Sequence, residues 1–313
     1  MTLHNKDLLK IWKSTPSRIY KLRDWIPIKN LCWYHLSKNQ STTYLLEANH
    51  DKIIWKTLST NPSPSAIDLL KINLEKIDWS NLSRNPGAAY LLKANQDKID
   101  WKKLSLNPSQ WAIDLLEENK DKIDWKNLSF NFSKEAIDLL ELNQDRIDWD
   151  YLSYNPYAIK LLEANIDKIN WEKLSYNPSK EIIYLLKENP DKIYWRGLSY
   201  NPSNEAIDLL KANPDKIVYY ELSRNISPNA IKLLEVNQDK INWYDLSANP
   251  IAIHLLEANQ DKIIWKELSK NPAIFIYDYD YLKEKMDFLR EDLCKAVFHP
   301  RNEGRLWCIE DDF

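Results

Sequence analysis

The fold is decided by a stretch such as residues 201–223, which reads NPSNEAIDLLKANPDKIVYYELS. Its segment 206–212, AIDLLKA, places apolar side chains on one face of a helix and charged ones on the other. Asn213 is expected to end that helix, because asparagine tolerates the left-handed backbone conformation found at many helix ends. A second, shorter element then carries Tyr219. Its sequence fits either an α-helix capped by Asp215 or an extended step followed by a 3₁₀ turn.

The same unit recurs along most of the chain. An aromatic residue follows a recurring Lys-Ile pair at intervals of 22 or 24 residues, and each aromatic is followed by a leucine, a serine and an asparagine such as Leu36, Ser37 and Asn39. The aromatic residues are Trp33, Trp55, Trp79, Trp101, Trp125, Trp149, Trp171, Trp195, Tyr219, Trp243 and Trp265. Self-similarity at a fixed short period is the sequence signature of repeat architectures.

The two unit lengths differ in the turn before the first helix. Short units read Asn-Pro-x-Ala, as at residues 155–158, where asparagine is expected to cap the helix and proline to occupy its first turn. Long units insert two residues, so that Ser63 becomes the cap and Pro64 takes the first helical position; Ser227-Pro228 repeats this arrangement. In both cases alanine is expected at the third helical residue, so the insertion lengthens a turn and leaves the core unchanged.

One unit cannot bury its apolar stripe alone, but stacked units share a continuous core. The sequence therefore predicts an all-α fold: a solenoid of about eleven stacked, two-element helical repeats, with layers ~8–10 Å apart and a rod of roughly 100 Å. Residues 1–30 are expected to form an N-terminal cap, residues 31–272 the solenoid, and residues 273–313 a C-terminal capping helix with an acidic-ended tail. The capping helix is predicted from apolar residues spaced by three and four, namely Leu282, Met286, Leu289, Leu293 and Val297.

Composition limits the function classes. The chain has 313 residues, a net charge of −3 and only 3 glycines, which argues against glycine-rich phosphate loops and against a general nucleic-acid binder. Its three cysteines, Cys32, Cys294 and Cys308, are too widely spaced for a disulfide framework, which favours a reducing compartment. No stretch reaches the ~18 apolar residues of a membrane span, and the N-terminus lacks a signal-peptide core, so no membrane partner is expected.

The repeat resembles a known protein group. The pattern LSxNPxAIxLLExNxDKIxWxxLS, followed by IFIYDYDYLKEKMDFLREDLCKAVFHPR at residues 274–301, is similar to a family of short-repeat proteins encoded by giant DNA viruses. The resemblance covers about residues 18–301 and implies a viral origin, a location in the cytoplasm of the infected host cell or in the virion, and no known activity. In unit length and in its Asn-Pro turn the chain also resembles leucine-rich-repeat variants that alternate α and 3₁₀ helices, which bears on the fold only.

Catalysis is not expected from the recurring charged pairs. Pairs such as Asp51-Lys52, Asp97-Lys98 and Asp215-Lys216 occur in nearly every unit, whereas a catalytic group is needed once, so helix capping and a solvated row of charges explain them better. Cys294, His299 and Cys308 match no common zinc spacing. The sequence predicts a protein that is not an enzyme and has no cofactor, no metal and no small-molecule substrate.

A candidate interaction surface lies between the recurring serine and asparagine. Successive units have at this position Lys38, Thr60, Arg84, Leu106, Phe130, Tyr154, Tyr176, Tyr200, Arg224, Ala248 and Lys270. Repeat geometry would align them. One interpretation is a partner-binding stripe formed by Leu106, Phe130, Tyr154, Tyr176 and Tyr200 and flanked by Arg84 and Arg224, since tyrosine and arginine are enriched in interface hot spots. The other is that these side chains only shield the turns.

The sequence therefore favours a non-enzymatic repeat scaffold that mediates protein–protein interaction in the infected cell, with a host or viral protein as its partner. An alternative is a structural component of the virion, such as a minor capsid or tegument protein. A third hypothesis is a repeat-type RNA binder that stacks bases on the tyrosines. The net charge of −3 argues against nucleic acid.

Overall fold

The structure is a computed structural model that describes residues 20–284 and 286–287. It is mostly helical, as predicted. Residues 24–274 form one compact unit, and the remaining described residues belong to a second. In the larger unit, odd-numbered helices begin at the recurring aromatic residue, and even-numbered helices carry the Leu-Leu pair.

The odd-numbered helices are α1 (Trp33–Lys38), α3 (Trp55–Leu58), α5 (Trp79–Ser83), α7 (Trp101–Leu104), α9 (Trp125–Ser129), α11 (Trp149–Ser153), α13 (Trp171–Leu174), α15 (Trp195–Tyr200), α17 (Tyr219–Arg224), α19 (Trp243–Ser247) and α21 (Trp265–Leu268). The even-numbered helices are α2 (Thr43–Glu47), α4 (Pro64–Lys71), α6 (Ala89–Lys93), α8 (Gln110–Glu118), α10 (Lys134–Glu141), α12 (Ile159–Glu163), α14 (Lys180–Glu188), α16 (Asn204–Ala212), α18 (Pro228–Glu235) and α20 (Ile253–Ala258).

Short 3₁₀ helices connect these elements. Ten of them contain the recurring acidic–basic pair: His50–Lys52, Leu74–Lys76, Gln96–Lys98, Lys120–Lys122, Gln144–Arg146, Ile166–Lys168, Pro190–Lys192, Pro214–Lys216, Gln238–Lys240 and Gln260–Lys262. The others are Ile28–Asn30, Gln40–Thr42, Pro86–Ala88, Pro250–Ala252 and Pro272–Ile274. The second element of the unit is therefore a 3₁₀ turn, an extended isoleucine or its equivalent, and then an α-helix. The helix is capped not by the aspartate of the pair but by the residue before the aromatic, such as Asp148, which accepts from the Tyr151 N–H.

The core lies between the two sets of helices. The leucine three residues after each aromatic is fully buried, as Leu152 is, and so are Leu162 of the following even-numbered helix and Ala158 in the turn between them. Burial of a leucine side chain contributes about 1.5–3 kcal/mol relative to exposure, so a core repeated in every unit supplies most of the driving force for folding. The recurring aromatics are only half-buried, at the edge of this core.

Two rows of buried polar side chains join each unit to the next. Ser153 Oγ donates to Trp149 O (2.7 Å) and accepts from the N–H of Asn170 in the following unit (3.0 Å). Asn155 Nδ2 donates to Asn131 O (2.8 Å) and Ser129 O (3.3 Å) of the preceding unit. Equivalent bonds recur along the chain, so the recurring serine and asparagine satisfy backbone groups that would otherwise be buried without partners.

Within residues 24–274, the serine and asparagine bonds also join the last unit to the first. Cys32 N–H donates to Ser269 Oγ (2.8 Å), and Asn39 Nδ2 donates to Asn271 O (3.2 Å). These are the same bonds that join neighbouring units elsewhere, here made between the first and last units. The expectation of an extended rod is therefore wrong, because the first unit bonds to the last in the way that neighbouring units bond to each other.

The helix-capping predictions have mixed outcomes. Ser63 caps α4 by accepting from Ala66 N–H, with Pro64 at the first helical position, as predicted. Ser227 stands at the equivalent place before α18, but its buried Oγ has no hydrogen bond. Asn213 does not adopt a left-handed conformation, with φ −134°, and ends α16 instead by donating from Nδ2 to Leu209 O (2.9 Å).

The second unit contains a short antiparallel pairing that the sequence did not indicate. Strand β1 (Tyr20–Leu22) pairs with β2 (Phe275–Tyr277), with Tyr20 opposite Tyr277. The two tyrosine rings stack with centroids 4.9 Å apart. Residues 279–284 and 286–287 are helical, which is where the predicted capping helix begins. The rest of that helix and the predicted tail, including Cys294, His299 and Cys308, lie outside the described residues.

Candidate functional site: an aromatic row beside a cavity

Four residues of the predicted stripe form a continuous row. Phe130, Tyr154, Tyr176 and Tyr200 each lie at or just after the end of an odd-numbered helix. The ring centroids are 5.5 Å apart from Phe130 to Tyr154, 6.1 Å from Tyr154 to Tyr176, and 5.9 Å from Tyr176 to Tyr200. They are close enough to interact as aromatic pairs. All four are half-buried, so each keeps an accessible surface.

This row lines a cavity of about 650 Å³. The cavity also contacts Arg224 from the predicted stripe, whereas Leu106 and Arg84 do not line it. Leu106 is half-buried, and Arg84 is exposed. The structure therefore brings together five of the seven predicted partner-binding residues and leaves two outside.

Six further lining residues were not identified from the sequence: Lys126, Asp150, Tyr151, Lys173, Arg196 and Glu221. Each lies one or two residues after the aromatic of its unit, at positions whose residue type varies along the chain. These positions could have been predicted from the sequence, because each lies three or four residues before the stripe position, and residues at that spacing are neighbours on a helix surface.

A buried carboxylate organises one end of the cavity. The side chain of Glu221 is only 3% exposed, and its Oε1 lies 2.8 Å from Arg196 Nε. Its Oε2 lies 3.6 Å from Arg224 Nη1, and Arg224 Nε lies 3.3 Å from Asp245 Oδ1. A buried charge is tolerated when it is paired, so Glu221 fixes two arginines whose side chains remain about half exposed.

Burial raises the pKa of two phenols of the row, those of Tyr154 and Tyr176. Burial, with a smaller contribution from the Glu221 carboxylate, raises the pKa of Tyr176 to about 12. Burial also raises the pKa of Tyr154. Both hydroxyl groups are therefore neutral near pH 7, and the row presents ring faces together with hydroxyls that both donate and accept hydrogen bonds.

The recurring lysines cover the aromatic residues of neighbouring units. Lys168 Nζ lies 4.7 Å from the ring centroid of Trp149, and Lys122 Nζ lies 4.3 Å from that of Trp101. Lys98 and Lys262 are placed in the same way over Trp79 and Trp243. A cation over an indole face stabilises by about 0.5–1 kcal/mol at exposed sites. The basic member of seven of the ten charged pairs thus covers a ring, whereas Arg146, Lys192 and Lys216 pair with the aspartate beside them.

A second cavity, of about 720 Å³, lies where the first and last units meet. Tyr34, His35 and Lys38 line it from the first unit and Lys270 from the last. Burial lowers the pKa of His35, and the positive charge of Lys270 lowers it further. The neutral imidazole is therefore favoured at this junction.

Two features are absent from the described part of the chain. No group of three or more His, Cys, Asp or Glu side chains is placed there to hold a metal ion. Among the same residues, no helix is long and apolar enough to cross a membrane. Comparisons with models of protein families, with curated proteins and with solved structures find no match to this chain.

Proposed function

We propose that residues 24–274 are a closed solenoid of eleven repeats that serves as a non-enzymatic scaffold and binds a protein partner along the aromatic row. The repeat assignment rests on the serine and asparagine bonds that join successive units and return from Ser269 to Cys32. Every unit makes the same bonds to its neighbours, and these bonds do not use the side chains that face the cavity. The residue type at the cavity positions can therefore vary without loss of the fold.

The observation that supports binding is the contiguous row of Phe130, Tyr154, Tyr176 and Tyr200 beside an accessible cavity. Side chains that only shielded turns would not need to be aromatic in four consecutive units, since Thr60 and Ala248 occupy the same position elsewhere. Rigid aromatic rings give a large contact area at a low cost in side-chain entropy, which suits recognition of another chain. A viral origin and a location in the host cytoplasm or in the virion remain predictions from the sequence resemblance.

The test is selection of binders from an unbiased displayed peptide library. We expect peptides to be enriched on the wild-type protein and lost on a row variant with Tyr154→Ser, Tyr176→Ser and Tyr200→Ser. The matched control replaces three tyrosines that are 68%, 57% and 58% exposed and do not line the cavity: Tyr90→Ser, Tyr157→Ser and Tyr184→Ser.

Thermal unfolding would first establish that both variants fold. Enrichment that is retained by the control and lost by the row variant supports the proposal. Enrichment retained equally by both variants would remove the row from the binding surface, and failure to enrich any peptide on the wild-type protein would overturn the proposed function.

A further inference from the structure

We infer that the protein segment bound along the aromatic row presents an arginine side chain, whose guanidinium group lies on the rings of the row and pairs with Asp150. This inference rests on the proposed function and specifies the chemistry of its partner. Two features of the described residues support it: a carboxylate of the cavity lining that has no basic partner, and four rings over which no cation is placed.

The basic side chains that line the cavity are already neutralised. Each of the four has a carboxylate partner: Arg196 with Glu221, Arg224 with Glu221 and Asp245, Lys173 with Glu172, and Lys126 with Asp148. An anionic ligand would have to share or break one of these pairs. The lining therefore offers an anion little net attraction.

Asp150 is the lining carboxylate without such a partner. Its Oδ1 accepts from Asn170 Nδ2 (2.8 Å), and within the described ranges no basic side chain pairs with it. The side chain is exposed and belongs to the cavity that the row lines. The unbalanced charge of the cavity is therefore negative, and it attracts a cation.

Cations over aromatic rings are a recurring feature of this fold. In seven units a lysine Nζ lies 4.3–4.9 Å from the ring centroid of the recurring aromatic residue. As far as the structure describes the chain, no contact of this kind involves any of the four rings of the row. A cation brought by the partner therefore meets ring faces that the protein itself leaves uncovered.

The rings of the row are tilted against one another and held in place. The interplanar angle is 39° between Tyr154 and Tyr176, and 57° between Tyr176 and Tyr200. Parallel rings would cover each other's faces, whereas tilted rings leave part of each face open. A Cβ atom added at Gly197 would lie 2.9 Å from Tyr176 Cδ2, so this ring packs directly against the backbone of the next unit. Because the ring is already positioned, binding costs little side-chain entropy.

Arginine fits this combination of ring and carboxylate better than lysine does. A planar guanidinium group can stack on an aromatic face while the N–H groups at its edge donate to a carboxylate. The cavity already contains one example: the Arg196 guanidinium carbon lies 5.1 Å from the centroid of the Tyr220 ring, and its Nε lies 2.8 Å from Glu221 Oε1. An arginine of the partner would repeat this arrangement with Asp150 and the row.

RNA is the competing class of partner, because its bases could stack on the rings. Its phosphates would find every basic group of the lining already paired, and Asp150 would repel them. A protein segment with a cationic side chain is therefore favoured, and RNA becomes an outcome of the experiment.

The experiment measures the binding of fluorescein-labelled peptides by fluorescence anisotropy. The probe is Ser-Leu-Leu-Arg-Arg-Leu-Leu-Ser, and matched peptides carry citrulline, lysine or glutamate in place of both arginines. Citrulline has nearly the shape of arginine but no charge. We expect the arginine peptide to bind about tenfold more tightly than the citrulline peptide, with the lysine peptide between them and the glutamate peptide weakest.

Two variants locate the effect. Asp150→Asn should reduce the preference for arginine over citrulline to about twofold or less, because the ion pair is lost and only the ring contact remains. The matched control is Asp114→Asn: Asp114 is also exposed and also accepts one amide hydrogen bond, from Gln110 Nε2 (2.7 Å), but it does not line the cavity. This control should keep the full preference. Urea unfolding would establish that both variants fold.

The outcomes separate the inference from the proposed function. Equal binding of the arginine and citrulline peptides, or a preference that Asp150→Asn leaves unchanged, would overturn the inference; if that binding is lost in the triple tyrosine variant, the proposed function stands. Tightest binding of the glutamate peptide, or library binders in which arginine is not enriched, would also overturn it. An oligouridylate that displaces the arginine peptide would overturn the protein partner. If neither these peptides nor a displayed library gives a binder, both proposals fall together.

Discussion

The buried asparagines provide the most direct test of how the units are held together. Asn155 is fully buried and makes three hydrogen bonds: Nδ2 donates to Asn131 O (2.8 Å) and Ser129 O (3.3 Å), and Oδ1 accepts from Tyr157 N (3.0 Å). Asn155→Ala removes all three and leaves two carbonyls and one N–H without these partners. Each buried polar group left unsatisfied costs about 1–3 kcal/mol, so we expect a loss of about 3–5 kcal/mol in the free energy of unfolding.

A second asparagine in the same unit provides the control. Asn165 makes one hydrogen bond, from Nδ2 to Leu161 O (2.9 Å), at a half-buried helix end. Asn165→Ala should cost about 1 kcal/mol. Urea unfolding of both variants, followed by circular dichroism, gives the comparison. If Asn155→Ala costs no more than Asn165→Ala, the asparagine row does not join the units and the packing described above is wrong.

Three further predictions concern single side chains. Trp149→Ala should lower the free energy of unfolding in urea by about 2 kcal/mol, because the ring is only half-buried, under Lys168. Replacing a core tryptophan would cost about 3–5 kcal/mol, so a loss above about 4 kcal/mol would place the ring in the core. Tyr176 should ionise near pH 12, and since its pKa is raised in the folded state, stability should fall as pH rises from 10 to 12. An absorbance titration in which Tyr176→Phe removes no late-ionising phenol would contradict this. The lowered pKa of His35 should make stability fall as pH drops below about 6.5, where its protonated form meets Lys270. His35→Gln should reduce that loss in urea midpoints measured at acidic and neutral pH, and an unchanged loss would refute the assignment.

The helices and their core were predictable because the same sequence pattern recurs in every unit. Eleven copies of one pattern identify the apolar face, the Ser63 cap and the change in turn length with little ambiguity. The error at Asn213 came from assigning asparagine its commonest role at a helix end, when its amide group bonds the backbone instead. The half-buried position of the aromatics was missed because spacing does not reveal how deep a side chain lies.

Closure of the array was not predictable from any one unit. The bonds between Cys32 and Ser269 and between Asn39 and Asn271 use the same serine and asparagine positions as every other junction, so no residue marks them. Closure depends on how all the units pack against one another, which no single unit specifies. The pairing of β1 with β2 joins three-residue strands far apart in sequence, for which no local signal exists.

Only part of the candidate site could be predicted from the sequence. The aromatic row was found because one position per unit was read along the chain. The Arg196–Glu221–Arg224 cluster was missed because its members come from three different positions of two units, and only the packing of neighbouring helices brings them together.

Because the first and last units are joined, the array is expected to unfold differently from an open stack of repeats. In an open stack the outermost units have one neighbour and fray first, and melting spreads inward from them. Here the first unit bonds to the last through Cys32 with Ser269 and through Asn39 with Asn271, so every unit has two neighbours. A unit can therefore unfold only if the junctions on both of its sides break. Amide exchange should therefore be nearly uniform from the first unit to the last. Deleting one unit should open the array, because the first and last units would then no longer be placed to make the Cys32–Ser269 and Asn39–Asn271 bonds.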